Sequence, residues 1–224
     1  MDLIHELAER GAEAGTVVVA GEQLQGRGSR GRTWHSPPGG LWLSVLFRPD
    51  SLAGLDVLSL RVGLAVARAL DGAVPMPVRL KWPNDLMLNG RKLGGILGEA
   101  RWQGELLGWV AVGVGLNVRN RVAPELQAGA ISLVELVPDI TVENVVHLIV
   151  PAIAALDLRQ PRLSPGELEH FTARSWLHGR EIRQPLSGTV TGVDEDGALQ
   201  IRTPEGSQVS IRHGSIELAG TSSP

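Results

Sequence analysis

Apolar residues change their spacing several times along the chain, and each spacing predicts a different element. Residues 2–11 carry apolar side chains three and four positions apart, which is typical of an amphipathic helix. Residues 16–20 (TVVVA) and 41–47 (LWLSVLF) are short, strongly apolar runs, so both are predicted to be buried strands. Residues 52–70 are apolar on several faces and contain no proline, which predicts a largely buried helix.

The spacing in residues 78–117 predicts an antiparallel meander. A short strand over 78–82 comes first. Asn89-Gly90 then stands between two apolar runs, which is the signature of a type I′ hairpin turn. A further strand is predicted over 106–114. Because tight turns join these runs, the pattern favours hairpins over βαβ units.

Helix signals dominate the next part of the chain. A short helix is predicted over 132–136, and Thr141 can cap a helix that runs to about residue 158. Ser164-Pro-Gly-Glu is a capping box with proline at the first helical position, so another helix is predicted over 165–176. From 179 to 220, short alternating runs joined by Asp-Gly and Glu-Gly predict a small β-barrel.

These elements predict an α+β fold with two domains. Residues 1–178 would form the larger domain, which contains the antiparallel meander and the predicted helices, and residues 179–224 a small barrel domain. Hydrophobic residues make up 43% of the chain and charged residues 20%, which is ordinary for a globular protein. The first 15 residues lack the apolar core of a signal peptide, and no apolar run reaches membrane length. The predicted location is therefore the cytoplasm, and no membrane is predicted as a partner.

Charge and cysteine content exclude further classes. A formal net charge of −3 disfavours a general nucleic-acid binder, and the absence of cysteine excludes disulfides and thiolate chemistry.

The segment from Gly26 to Trp42 (GRGSRGRTWHSPPGGLW) carries the strongest local chemistry, with three arginines among five glycines. Glycine lets a backbone approach a ligand closely, and arginine presents a fork of donors that matches phosphate or carboxylate oxygens. Trp34 follows, where an indole could stack on a flat ring. A solvated loop or an RNA-binding RGG segment is the plainer interpretation. The position of one compact cluster between two predicted strands favours an anion cradle.

Lysine is rare here, since only Lys81 and Lys92 occur among 21 basic residues. Both lie in the segment KWPNDLMLNGRK. A coding bias toward arginine would explain the rarity. The alternative is that a compact ammonium is needed at these two places, because arginine does not replace it.

Taken together, three blocks resemble the biotin–protein ligases, a resemblance that covers essentially the whole chain. These blocks are GRGSRGRTWHSPPGGL, KWPNDLMLNGRKLGGILGE and GVGLNV. The resemblance implies a catalytic domain with a mixed, mainly antiparallel sheet and flanking helices, akin to class II aminoacyl-tRNA synthetases, followed by an SH3-like barrel. It implies that biotin carboxylate attacks the α-phosphate of ATP, with Mg²⁺, to give biotinoyl-5′-AMP. A lysine of the biotin carboxyl carrier protein of acetyl-CoA carboxylase then accepts the biotinoyl group.

The same resemblance implies roles for individual residues. The catalytic set is Lys92, Arg27, Lys81 and Asp85. The biotin-binding set is Gln23, Gly26, Arg27, Gly28, Ser29, Lys92, Gly94 and Gly95. The ATP-binding set is Arg27, Arg30, Arg32, Trp34, Lys81, Asn84 and Asn117. Lys92 would bridge the two reacting groups, Trp34 would pack on adenine, and Asp85 would orient the acceptor amine. For Asp85, capping of a turn is an open alternative. No metal ligand is assigned, because Mg²⁺ is expected to arrive with ATP.

The sequence departs from the family pattern in three respects. Ser29 stands where the family usually has arginine, which predicts looser retention of biotinoyl-AMP. The family's Ser/Thr-Asn segment before the first helix is not found in this sequence, so either the true start lies upstream of Met1 or the biotin pocket lacks one wall. No winged-helix segment precedes the catalytic domain, so DNA binding is not predicted. A homodimer is kept open.

Two rival functions remain. A lipoate–protein ligase shares the expected fold and adenylation chemistry but should carry a different Arg/Gly block. A ligand-binding protein without catalysis is the other.

Overall fold

The computed structural model describes residues 1–49 and 53–220. Its four α-helices are α1 (Asp2–Glu9), α2 (Leu55–Ala69), α3 (Val142–Ala154) and α4 (Pro165–Arg174). Its first six strands are β1 (Val17–Ala20), β2 (Leu41–Phe47), β3 (Arg79–Lys81), β4 (Asp85–Leu88), β5 (Arg91–Gln103) and β6 (Leu106–Leu116). The remaining strands are β7 (Glu181–Gln184), β8 (Gly188–Val193), β9 (Leu199–Arg202), β10 (Gln208–Ile211) and β11 (Glu217–Leu218).

The strands form two antiparallel sheets. The larger has six strands in the order β1-β2-β6-β5-β4-β3, and the smaller has five in the order β10-β9-β8-β7-β11. The predicted meander is present, and Asn89 and Gly90 both adopt the positive φ that a type I′ turn requires. The C-terminal region is an antiparallel sheet, as predicted. In the described residues β10 and β11 stand at its two ends, so closure into a barrel stays a prediction.

Several predicted bounds need correction. The region expected to be a short helix over 132–136 is a single 3₁₀ turn, Leu133–Glu135. Helix α1 ends at Glu9 and α3 at Ala154, earlier than predicted. The predicted start of α2 at Leu52 lies outside the described residues. The caps at Thr141 and Ser164 are confirmed, because each side-chain oxygen accepts a hydrogen bond from the third residue of its helix.

The two faces of the larger sheet differ in what they carry. One face presents branched aliphatic side chains that are fully or almost fully buried: Leu43, Val45, Val112 and Val114. Helices α2 and α3 pack on this face, and the same apolar core continues into β7, β8 and β9. Helix α1 lies on the opposite face, where Ile4 and Ala8 join Leu46, Trp109 and Ala111 in a smaller core. The rest of that opposite face carries the cavity described next.

Candidate active site

A cavity of about 530 Å³ lies on the face of the larger sheet that α1 leaves open. Its floor consists of two rows of residues that pair across β2, β6 and β5: Trp42, Gly115 and Gly95, then Ser44, Gly113 and Leu97. A Cβ at Gly115 would lie 2.8 Å from the indole nitrogen of Trp34, and one at Gly113 would lie 2.9 Å from the sulfur of Met1. These glycines therefore let neighbouring side chains lie close to the sheet. The volume is in the range of small-molecule sites.

Residues 23–36 form a flap over this cavity. The chain folds back on itself, so that Gln23 pairs with Ser36 and Arg27 with Thr33. The Ser36 hydroxyl also donates to the side-chain oxygen of Gln23 at 2.7 Å. The two arms approach so closely at Gly26 that a Cβ there would lie 2.2 Å from the carbonyl oxygen of Trp34. The glycine at 26 is thus needed to fold the flap and does not line the cavity.

The three flap arginines have different environments. Arg27 lines the cavity and pairs with Asp2 at 2.7 Å and Glu99 at 3.1 Å. Arg32 also lines it and donates to the carbonyl and hydroxyl of Ser29. Arg30 adopts a left-handed φ of 62° and donates to the Ser215 hydroxyl in the smaller sheet's region. Arg30 is therefore turned away from the cavity that it was predicted to serve.

Lys92 lies at the centre of the cavity wall. Its ammonium donates to Asp85 at 2.6 Å and stands 5.1 Å from the centroid of the Trp34 ring. Asp85 therefore binds a lysine, and the turn-capping alternative does not describe its side-chain contact. The backbone of Lys92 is held by the neighbouring segment, since its N–H donates to Gly129 and its carbonyl accepts from Ile131. Strand β5 and this segment together fix where the ammonium points.

Lys81, the second lysine, lies outside the cavity lining. Its ammonium stands 5.5 Å from the ring centroid of Trp176, and Arg180 contacts the same ring at 4.1 Å. Desolvation lowers the pKa of Lys81, with Lys92 and Arg32 adding to the effect against the opposing charge of Asp85. A half-buried ammonium near two other cations is an attractive neighbour for a polyanion.

Trp34 has one unmet polar group. Its indole nitrogen is buried without a hydrogen-bond partner in the structure, while its ring packs edge-on against Trp42. Two asparagines line the cavity as well. Asn84 donates to the carbonyl of Ile96 at 2.7 Å, and Asn117 accepts from Asn120 at 3.0 Å. A buried donor that lacks a partner is expected to gain one from a ligand.

The structure therefore brings together much of the predicted set but not all of it. The predicted residues that line the cavity are Gln23, Arg27, Gly28, Ser29, Arg32, Trp34, Asn84, Lys92, Gly95 and Asn117. Those that do not line it are Gly26, Arg30, Lys81, Asp85 and Gly94. Gly94 faces the opposite way, because a Cβ there would lie 2.3 Å from the carbonyl oxygen of Gly115 and 2.5 Å from the Leu116 side chain. The absence of a side chain at Gly94 therefore permits close packing of β5 on β6, and contact of its backbone with biotin stays a prediction.

One wall of the cavity was not predicted from the sequence. Residues 120–130, between β6 and the 3₁₀ turn at 133–135, contribute Asn120, Arg121, Val122, Ala123, Glu125, Leu126, Ala128, Gly129 and Ala130. The available signal was the length of this connection, since long loops in compact domains commonly serve function. Met1 is the other unexpected wall. Its side chain lies against Ser44 and Gly113 on the cavity floor.

Comparison with known protein families identifies the family to which the chain belongs. Residues 3–117 match the model of the Biotin/lipoate A/B protein ligase family, and residues 180–218 match the Biotin protein ligase C terminal domain. The chain belongs to the Biotin/lipoate A/B protein ligase family.

Individual relatives agree with this assignment. The chain is 33% identical to "Bifunctional ligase/repressor BirA" of Bacillus subtilis, over 96% of this chain and 69% of the relative. It is 34% identical to "Biotin--[acetyl-CoA-carboxylase] ligase" of Paracoccus denitrificans, over 86% of each. Among solved structures, the biotin protein ligase from Aquifex aeolicus in complex with biotin and ATP superposes with a TM-score of 0.81 at 28% identity. That match covers 96% of this chain and 93% of the other.

Proposed function

We propose that this protein activates biotin with ATP to biotinoyl-5′-AMP and transfers the biotinoyl group to a lysine of the biotin carboxyl carrier protein of acetyl-CoA carboxylase. Family membership and the names of the relatives support this activity. The observation that carries it is the position of Lys92, whose ammonium faces both Asp85 and the Trp34 ring within a cavity lined by Arg27 and Arg32.

The first step joins two anions, so the site must supply positive charge. A biotin carboxylate oxygen forms a bond to the α-phosphorus of ATP, and pyrophosphate leaves with the electron pair of the broken P–O bond. Lys92 is proposed to bind the carboxylate and the α-phosphate together. Arg27 and Arg32 are proposed to offset the charge that develops in the transition state. Lys81, just outside the cavity lining, is proposed to receive the distal phosphates.

The nucleotide and biotin are proposed to occupy different parts of the cavity. Trp34 would pack on adenine with Asn117 and Asn84 nearby, and Gln23 would bind the ureido ring of biotin. The position of Gly95 supports biotin lying along β5, because Gly95 lines the cavity and a Cβ there would make only ordinary van der Waals contacts, at 3.6 Å to the carbonyl oxygen of Asn84 and 3.8 Å to Cε of Lys92. The flap would then exclude water from the acyl adenylate, which is hydrolysable.

The second step needs an uncharged acceptor amine. Its nitrogen attacks the acyl carbon, AMP leaves, and the amine loses a proton. Asp85 is proposed to orient this amine. The Asp85 carboxylate accepts a hydrogen bond from the Lys92 ammonium at 2.6 Å, and this pairing of a carboxylate with an amine supports the proposed role.

Mg²⁺ is proposed to enter with the ATP phosphates. Within residues 1–49 and 53–220 no group of three His, Cys, Asp or Glu side chains could hold a metal ion. Mg²⁺ commonly keeps several waters and binds through substrate phosphates, so a protein cage is not required.

No helix within residues 1–49 and 53–220 is long and apolar enough to cross a membrane.

The finer parts of the assignment are proposals too. We propose that residues 1–178 form the catalytic domain, akin to class II aminoacyl-tRNA synthetases, and residues 179–224 an SH3-like barrel. The five-stranded sheet supports the second part. A cytoplasmic location is proposed from the sequence, whose first 15 residues lack the apolar core of a signal peptide, and a homodimer is proposed from the resemblance alone. No nucleic-acid partner is proposed.

Pyrophosphate release tests the proposal against its two rivals. Release that requires biotin supports a biotin ligase, release that requires lipoate indicates a lipoate ligase, and the absence of release with either ligand indicates a binding protein without catalysis. Transfer is tested separately, by incubating the enzyme with biotin, ATP and an apo carrier domain. A carrier domain with its acceptor lysine replaced by arginine is the matched control and should stay unmodified.

A further inference from the structure

A chain of hydrogen bonds runs from the interior of the larger sheet to the flap. The indole N–H of Trp109 donates to Nδ1 of His5 at 3.0 Å. Nε2 of His5 lies 2.9 Å from one oxygen of Glu99, and the other oxygen of Glu99 accepts from Nε of Arg27 at 3.1 Å. Trp109 and His5 are buried, with 3% and 6% of their surfaces exposed. This series of hydrogen bonds therefore ends at the guanidinium of Arg27, which lines the cavity.

The partners fix where the histidine proton lies. An indole nitrogen can only donate, so Nδ1 of His5 must accept and its ring proton must be on Nε2. His5 then donates to Glu99. Desolvation raises the pKa of Glu99, but the hydrogen bond from His5 and the charge of Arg27 outweigh it, so the pKa lies below its ordinary value. Glu99 is thus a carboxylate with one oxygen committed to His5 and the other turned toward Arg27.

Glu99 is the firmer of the two carboxylates that hold Arg27. Its side chain is 18% exposed and is carried by strand β5, four residues beyond Gly95 on the cavity floor. The side chain of Asp2, the other partner, is 73% exposed, and exposed pairs contribute little. Arg101 also approaches Glu99, at 3.5 Å. Asp2 makes the shorter bond to Arg27, at 2.7 Å, and does most to raise the pKa of Arg27, but Glu99 is the partner that connects the guanidinium to the sheet.

We propose that Glu99 is a positioning residue for Arg27, and that His5 in turn positions Glu99. Neither side chain lines the cavity. Their effect is to present the guanidinium of Arg27 to an anion that binds there, with less conformational freedom lost on binding. This inference rests on the proposed function, in which that anion is the acyl phosphate of biotinoyl-AMP.

The test measures how fast preformed biotinoyl-AMP leaves the protein, together with KM for biotin and ATP. Glu99→Gln keeps the size of the side chain and removes its charge, so Arg27 loses its charged partner on the sheet. We expect release to be about tenfold faster, which corresponds to one hydrogen bond of a charged group. Arg101→Gln is the matched control, because Arg101 also approaches Glu99 but is absent from the cavity lining. Its release rate should be unchanged.

A double-mutant cycle separates positioning from general loosening. In an Arg27→Met background, Glu99→Gln should add little to the release rate, because the group that it positions is gone. If Glu99→Gln does not fold, His5 supplies the second comparison. His5→Gln can place an amide N–H where Nε2 stands and should release slowly, whereas His5→Leu cannot donate and should release several times faster.

Each outcome of these measurements either supports or overturns the proposed role of Glu99. Non-additive effects of Glu99→Gln and Arg27→Met, with rescue by His5→Gln, support the inference. Additive effects, or equal release from wild type and Glu99→Gln, overturn it while leaving the proposed function in place. A wild-type protein that forms no biotinoyl-AMP overturns the proposed function and this inference with it.

Discussion

The two faces of the larger sheet are made by the same strands but have opposite compositions. On one face Leu43, Val45 and Val114 are buried under helices α2 and α3. On the other, Ser44, Gly113 and Gly115 form the floor of the cavity. Successive side chains along a strand point to opposite faces of the sheet, so neighbouring residues belong either to the core or to the cavity. The first face supplies burial, and the glycines at 113 and 115 on the second face let the side chains of Met1 and Trp34 lie close to the sheet at the cavity.

The glycine pair in β5 shows the same difference at adjacent positions. A Cβ at Gly94 would overlap the carbonyl oxygen of Gly115 and the side chain of Leu116, whereas a Cβ at Gly95, on the cavity lining, would make only ordinary van der Waals contacts. The difference teaches that two neighbouring glycines can be required for different reasons. The predictions below test whether stability and activity separate between the two faces in this way.

The largest effect is expected at Lys92 on the cavity side. Lys92→Ala removes the ammonium proposed to bridge biotin carboxylate and α-phosphate, so formation of biotinoyl-AMP should fall by about 100-fold or more, or ~3 kcal/mol. The midpoint of thermal unfolding should change little, since Lys92 is partly exposed. Arg91→Ala is the control, because it removes a neighbouring cation that pairs with Glu135 outside the cavity lining. Unchanged adenylation by a folded Lys92→Ala protein would contradict the assignment.

The glycine pair gives the second effect. Gly94→Ala should lower the free energy of unfolding by about 1–3 kcal/mol, because backbone of β6 must shift to admit a methyl group. Gly95→Ala should unfold near the wild-type temperature but raise KM for biotin, since its methyl group occupies ligand space. Thermal unfolding and steady-state kinetics of both variants provide the measurement. If both lose stability equally, the two faces are not distinguished at this point.

Local features of both faces could be predicted from the sequence. Strand β2 has the predicted bounds, because an apolar run between loops needs no distant partner to be recognised. The turn at Asn89-Gly90 follows from its own backbone preferences. The flap and Lys92 could also be singled out, because arginine, glycine and lysine are unusually placed there.

Features that depend on contacts between distant residues could not be predicted. Arg27 finds Asp2 at a sequence separation of 25 and Glu99 at 72, and no spacing rule connects them. Arg30 turns toward Ser215, which lies 185 residues away. The wall at 120–130 has no regular elements beyond one 3₁₀ turn, so hydrophobic periodicity carries no signal for it. Tertiary contacts decide all three.

The third effect concerns the flap at Ser29, which covers the cavity side. Serine is too short to reach a phosphate with a charged group, and neighbouring Arg30 does not replace it because it binds Ser215. Ser29→Arg should therefore slow the release of preformed biotinoyl-AMP, by about tenfold if one bond of ~1.4 kcal/mol is restored. The rate is measured by chasing the complex with excess biotin. Equal or faster release from Ser29→Arg would show that the flap closes without an arginine at this position.

The smallest effect tests whether Lys81, outside the cavity lining, still serves the cavity side. Desolvation lowers the pKa of its ammonium below 10.5, so raising the pH removes its charge sooner than that of an exposed lysine. At pH values between the lowered pKa of Lys81 in the folded protein and its higher pKa in the unfolded chain, Lys81 is protonated more often in the unfolded chain. The contribution of Lys81 to the free energy of unfolding therefore rises with pH. Loss of charge should weaken ATP binding in the same window. The two trends therefore run in opposite directions.

Lys81→Arg provides the comparison, because arginine keeps its charge throughout this range. KM for ATP should rise severalfold for wild type at alkaline pH, by at most the ~1 kcal/mol of a partly screened charge contact, and should stay flat for Lys81→Arg. KM for biotin should not share this dependence, since the distal phosphates belong to ATP. A parallel alkaline rise of the ATP KM in both proteins would assign the titration to another group and leave Lys81 as a packing partner of Trp176.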